Sequence, residues 1–210
     1  VKTLMAAASN GKKVTVVIEL LARFDEESNI NWSKQMQDAG INVIFGIEGL
    51  KVHSKLVYIS SSKGDIACIS TGNFHEGNAA QYTDVAVFTA RKRLVAEVNT
   101  VFDFIEKPYV PIKFKELLVS PNDMRRKLIA RIDKEIENAA KGKPAYIMGK
   151  LNHITDKAIV NKLYEASAAA VRIDLTGRGN CSPGTGIPGK VEQLRHHGIQ
   201  TPLLDPSTLP

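Results

Sequence analysis

The sequence predicts an α/β protein built from two units. Three observations carry that expectation. Short β-branched or apolar runs alternate with stretches whose apolar residues recur at helical spacing. The strand–helix–strand rhythm occurs in both halves of the chain. Between the halves, Pro108 and Pro111 bracket Tyr109 and Val110 and mark the best break.

Residues 1–10 hold only a short apolar stretch, and a strand-like run follows soon after, so they do not read as a secretory leader. The chain starts at Val1 rather than Met, and its natural N-terminus is expected upstream. Val14-Thr15-Val16-Val17-Ile18-Glu19-Leu20 is a continuous β-branched run and reads as a buried strand. Residues 24–39 carry a helical pattern, with Asn29 or Asn31 as the cap before Trp32 and Gly40 as the stop. Residues 41–45 form the next strand, and Gly46 and Gly49 bracket a turn. An alternating run then leads from His53 to Ile59. Residues 66–69 and 84–89 are further strands, and 91–105 is an amphipathic helix.

In the second half, Ser120-Pro121-Asn122-Asp123 opens a long helix with a cap and a proline near its first turn. That helix is expected to run to about Lys141 and to end at Gly142. Residues 145–150 are strand-like, 156–169 helical, and 171–175 a strand running into Gly177-Arg178-Gly179. The tail, 202–210, is Pro-rich and is assigned no structure.

Composition sets the outer bounds. The 210 residues allow one or two ordinary domains with real cores. No apolar run is long enough for a membrane span. Cys68 and Cys181 are far apart and lack metal spacing, which fits a reduced, cytoplasmic protein. A formal net charge of +6 favours an anionic partner without saying which.

The candidate chemistry gathers at Gly49-Leu50-Lys51-Val52-His53-Ser54-Lys55. Residues two apart share one face of a strand, so His53 and Lys55 are expected to point the same way, as a nucleophile beside a phosphate clamp. Ser70-Thr71-Gly72-Asn73-Phe74 follows as a second strand end with a small-residue turn. Asn73 either serves that turn or hydrogen-bonds a phosphate oxygen. Gly184-Thr185-Gly186-Ile187-Pro188-Gly189-Lys190-Val191 approaches a P-loop. It fails because Val191 replaces the Ser or Thr that holds magnesium and Pro188 removes an amide donor. His75, His153, His196 and His197 lack partners at metal spacing and read as surface or loop residues.

Histidine-x-lysine followed by a Gly-Asn turn resembles the phosphoryl-transfer motif of the phospholipase D superfamily. A closer resemblance appears when the motifs are taken together. Glu19-Leu20-Leu21-Ala22-Arg23-Phe24-Asp25-Glu26-Glu27-Ser28-Asn29, the His53–Lys55 motif and Thr71-Gly72-Asn73-Phe74-His75-Glu76 look like the long, ATP-using bacterial polyphosphate kinases. So do Tyr82-Thr83-Asp84, Leu117-Leu118-Val119-Ser120-Pro121 and Leu163-Tyr164-Glu165-Ala166-Ser167. The resemblance spans about 14–189, and the pattern is expected to fail after Lys190, through a frame shift or truncation of the gene.

The resemblance implies two phospholipase-D-like α/β domains: a first catalytic one over 1–116, truncated at its N-terminus, and a partial second one over 117–210 with an atypical tail after 190. It implies that His53 is phosphorylated by ATP, with Lys55 beside it, and that Arg23 lies where magnesium and phosphate sit. Tyr82 and Arg178 would contact the nucleotide, with Asn73 grouped with them. The plain alternatives are an ion pair to Asp25 or Glu26 for Arg23, a core position for Tyr82 and a basic loop for Arg178. Implied partners are Mg2+, ATP and ADP, inorganic polyphosphate and further copies of the chain, without nucleic acid. The cytoplasmic location leaves room for peripheral attachment to a membrane. The runner-up activities are a phosphodiesterase or nuclease, for which Asp65 lies too far beyond Lys55, and a non-catalytic polyanion-binding module.

Overall fold

In the computed structural model, which describes residues 1–19, 26–81, 84–177 and 194–198, the first β-branched run forms strand β1 (Thr15–Ile18). It is half-buried rather than fully buried, because its sheet has only one other strand among the described residues. Helix α2 (Glu26–Asp38) carries the chain to strand β2 (Asn42–Phe45), which pairs with β1 in parallel, Thr15 opposite Asn42 and Ile18 opposite Phe45. Ahead of both, residues 2–9 form helix α1 (Lys2–Ser9), which the sequence reading did not anticipate. Its Leu, Met and Ala residues favour helix, but eight residues are too few to display a period.

Asn29 and Asn31 lie inside α2, so neither is its cap. Asn29 instead donates its side-chain amide to the Glu19 carbonyl at 3.2 Å. Gly40 ends the helix as expected. It takes φ +80°, and the Ile41 and Gly40 amides donate to the Met36 and Gln37 carbonyls, a Schellman closure.

The chain then builds an antiparallel sheet of β3 (Lys55–Ile59), β4 (Ile66–Ser70) and β5 (Ala86–Thr89), in that order. Helix α3 (Glu76–Gln81), also unanticipated, lies between β4 and β5. Helix α4 (Lys92–Glu106) buries Val95, Val98, Val101, Phe104 and Ile105. Val95 and Val98 pack with Ala67 of β4, flanked by Leu56, Tyr58 and Ile69. On the outside of α4, the Glu97 carboxylate accepts the amides of Lys115, Glu116 and Leu117 at 2.6–3.1 Å, which ties down the segment after Pro111. This first unit is Val1–Leu117; the second is Leu118–Pro210.

The second unit opens with helix α5 (Met124–Ala140). Pro121 precedes the helix instead of sitting in its first turn, and Asp123 at the N-cap position makes no side-chain capping bond. Asp123 pairs with Lys127 at 2.8 Å instead. Gly142, at φ +65°, follows the helix, as expected. Strand β6 (Tyr146–Leu151), helix α6 (Lys157–Ala168) and strand β7 (Arg172–Gly177) follow, with β8 (Leu194–Gly198) completing a parallel sheet in the order β6-β7-β8. No alternating or β-branched run marks β8 in the sequence. Asp156 caps α6, its carboxylate accepting the amides of Ala158 and Ile159 at 3.0 and 3.1 Å. Ile132, Val160, Leu163, Val171, Ile173, Leu175 and Leu194 form the core of this unit.

Between α6 and β7, Ala170 takes φ +62°, the left-handed conformation that L side chains resist. Ala170→Gly is therefore expected to stabilise the second unit by about 1 kcal/mol, read as a shift in the denaturation midpoint. Among the described residues no helix is long and apolar enough to cross a membrane.

Candidate functional site

The site forms at one end of the β3-β4-β5 sheet. Antiparallel register sets Lys55, the first residue of β3, opposite Ser70, the last of β4, and Ser70 opposite Ala86, the first of β5. The turn after β4, with Thr71, Gly72 and Asn73, therefore comes to the same edge as the segment leading into β3 and as Asp84 just before β5. The sheet register joins motifs that are separated in sequence.

His53 and Lys55 do not share a strand face as expected. His53 lies in the lead-in, outside the ladder, and β3 begins at Lys55. The two still meet, because the Lys55 ammonium turns back and donates to the His53 carbonyl. His53 is exposed. Loss of water around its ring, then the positive charges of Lys55 and Lys51, hold its pKa below the ordinary 6.5. The imidazole is thus kept neutral, with a lone pair, among cations. Lys55 is itself lowered by desolvation and by Lys51, while the Asp84 carboxylate acts in the opposite sense.

Asp84 is firmly held. Its Oδ1 accepts the Thr71 hydroxyl at 3.0 Å, and that hydroxyl oxygen accepts the Val85 amide at 3.0 Å. The Thr71 amide donates to the Val85 carbonyl at 3.0 Å, locking the two segments together. The Asp84 side chain fills the space where Gly72 lacks a Cβ. An added methyl there would overlap the carboxylate and come within 2.9 Å of the Asp84 Cβ. Gly72 is required for close approach, and Asn73 sits exposed beside it.

Glu19, just past β1, reaches the lead-in from the other side. Its Oε2 accepts the amide of Val52 at 3.0 Å, one residue before His53. Glu19, Thr71 and Asp84 all fall inside motifs that the sequence singles out, yet only their three-dimensional partners assign them work. Asp65 does not reach the site. It accepts the Tyr58 and Ser60 hydroxyls at 3.1 and 2.7 Å, at the far end of β3. That end lies about 13 Å along the strand from Lys55.

Arg23, Tyr82 and Arg178, and the P-loop-like stretch 184–191, lie outside the described residues. Among the described residues no group of three or more His, Cys, Asp or Glu is placed to hold a metal ion.

The chain matches two family models. Residues 1–111 match polyphosphate kinase C-terminal domain 1, and residues 117–207 match polyphosphate kinase C-terminal domain 2. The second match runs past Lys190, to residue 207. The chain is 50% identical to the polyphosphate kinase of Vibrio cholerae over 196 residues, covering 91% of this chain and 28% of the relative. It is 47% identical to that of Escherichia coli K12, covering 93% and 29%. It superimposes on a crystal structure of polyphosphate kinase from Porphyromonas gingivalis with a TM-score of 0.79 at 38% identity, over 93% of this chain and 33% of that one. It thus spans rather less than a third of the curated relatives it matches. With over half its length in the first match alone, and a mixed α/β fold of phospholipase-D-like units, the chain belongs to the polyphosphate kinase family.

Proposed function

We propose that this chain carries the phosphohistidine-forming core of a polyphosphate kinase, with His53 as the nucleophile. The observation that carries this reading is the exposed, neutral-biased imidazole flanked by Lys51 and Lys55 at the meeting point of β3, β4 and β5. Phosphoryl transfer needs an in-line nucleophile and neutralised oxygens more than covalent help.

In the first step a ring nitrogen of His53 forms a bond to the γ-phosphorus of ATP. The bond from that phosphorus to the bridging oxygen breaks, and ADP leaves with the electron pair. In the second step a terminal oxygen of polyphosphate attacks the same phosphorus. The nitrogen–phosphorus bond breaks and returns its pair to the ring, and the polymer is one unit longer. Both bonds are of comparable energy, so the reaction runs in either direction. Lys55 and Lys51 supply positive charge to the transferring oxygens. By family resemblance Arg23 and Arg178 bind phosphate oxygens, Tyr82 contacts the nucleotide, and Asn73 adds a hydrogen bond. Magnesium would supply further neutralisation of phosphate charge when bound, beside the phosphate contacts assigned to Arg23. The same resemblance suggests that the protein acts as a homo-oligomer.

The pH profile tests the nucleophile. The pKa of folded His53 is lowered from its ordinary value by desolvation and by Lys55 and Lys51, so the neutral ring is favoured to lower pH than in a free imidazole. The acid limb of the labelling rate with γ-labelled ATP, quenched in base, is expected to lie below that of an ordinary imidazole. In Lys55→Met one cation is gone, the His53 pKa rises, and the acid limb moves to higher pH while the maximum falls. An acid limb in the same place in both proteins counts against His53 as the titrating group.

A further inference from the structure

The segment between β2 and β3 belongs to no ladder, yet it must present His53 in one place. It turns at Gly46 (φ +56°) and Gly49 (φ +75°) and closes on itself through the Leu50 amide, which donates to the Ile47 carbonyl at 3.0 Å. The Glu19 carboxylate sits at the mouth of this loop. Its Oε2 accepts the Val52 amide at 3.0 Å on one side, and on the other it would lie 3.9 Å from a Cβ at Gly46. Glu19 is itself held from helix α2, because the Asn29 amide donates to its carbonyl. One residue thus links the end of β1, helix α2 and both ends of the loop that carries His53.

A carboxylate near a site for polyanions is electrostatically unfavourable there unless another role keeps it. We infer that Glu19 is a positioning residue for phosphoryl transfer: it fixes the Val52 backbone and so the point from which the His53 imidazole attacks. The inference rests on the reading of His53 as nucleophile. Its physical scale is that of a charge-assisted bond to a backbone amide, the kind that restrains a loop to one geometry. Misplacing a nucleophile by about 1 Å can cost on the order of a hundredfold in rate.

The test compares wild type, Glu19→Gln and Glu19→Ala, all in the full chain. Two quantities are read: hydrogen exchange at the Val52 amide, and the rate of acid-labile labelling from γ-labelled ATP with magnesium. Glutamine keeps an oxygen acceptor, so it is expected to retain amide protection and rescue the rate to within about threefold of wild type. Alanine is expected to speed exchange by about tenfold or more, because the bond to the amide is lost. It should also lower the maximal labelling rate by about tenfold to a hundredfold, with half-saturating ATP changed less than about threefold. Alanine with unchanged Val52 exchange, or labelled as fast as wild type, overturns the inference alone. A glutamine variant as slow as alanine also overturns it, since charge and not the hydrogen bond would then be at work. A folded wild-type chain that takes no label overturns the reading of His53, and this inference with it.

Discussion

His53→Ala is expected to abolish acid-labile, base-stable phosphate on the chain and to slow transfer by about a thousandfold or more. The reason is the two-step route. Without the imidazole the lead-in to β3 loses the nitrogen nucleophile that holds the phosphoryl group between donor and acceptor. His53 is exposed, so its loss should leave stability within about 0.5 kcal/mol of wild type. Thermal unfolding followed beside the labelling assay separates lost chemistry from lost fold. An unfolding curve that is unchanged with labelling absent is the expected pair of results. Labelling that survives in His53→Ala would move the nucleophile elsewhere.

Gly72→Ala is expected to have the next largest effect, and for a different reason. The methyl would occupy the space of the Asp84 carboxylate and crowd its Cβ, which is not the far end of a flexible chain. Asp84 must move, and the Thr71 hydroxyl then loses its acceptor. Lys55 also loses the anion that offsets Lys51. Overpacking of this kind costs about 1–3 kcal/mol. The labelling rate should fall by about tenfold to a hundredfold, because the turn after β4 and the Asp84 segment meet at this glycine. Denaturant unfolding and labelling kinetics on the same preparation check both halves. An alanine variant as stable and as active as wild type would mean that Asp84 has another place to go.

Much of this architecture was legible in the sequence, and where it was not the causes are specific. The strands at 15–18, 42–45, 66–70 and 172–177 announce themselves by β-branched or apolar runs, and Gly40 and Gly142 by their places after helical patterns. Helices α1 and α3 were hidden because eight and six residues cannot display a 3.6-residue period. Asn29 looked like a cap because Asn favours caps, but its amide is drawn to the Glu19 carbonyl. Strand β8, Leu194–Gly198, carries two histidines, and among the described residues it pairs with β7.

The candidate site divides the same way. His53, Lys55 and the Gly72 turn stand out by residue type and spacing. Their side-chain relation does not, because alternation along a strand says nothing about where the strand begins, and here it begins at Lys55. Glu19 and Asp84 act through partners 33 and 13 residues away, a Val52 amide and a Thr71 hydroxyl. No local pattern encodes such pairs. The register of β4 and β5 brings Thr71 to Asp84, and the Glu19 side chain, just past β1 in the other sheet, reaches Val52 across the fold.

The most direct measurement is the position of the phosphate on the wild-type chain. The full chain is incubated with γ-labelled ATP and magnesium, kept alkaline, digested, and the labelled peptide sequenced by mass spectrometry. The expected result is a single phosphoramidate on the peptide that contains His53. Phosphate on His75 or on any other residue, or none on a chain that is demonstrably folded, would contradict the assignment of His53 as the phosphoryl acceptor.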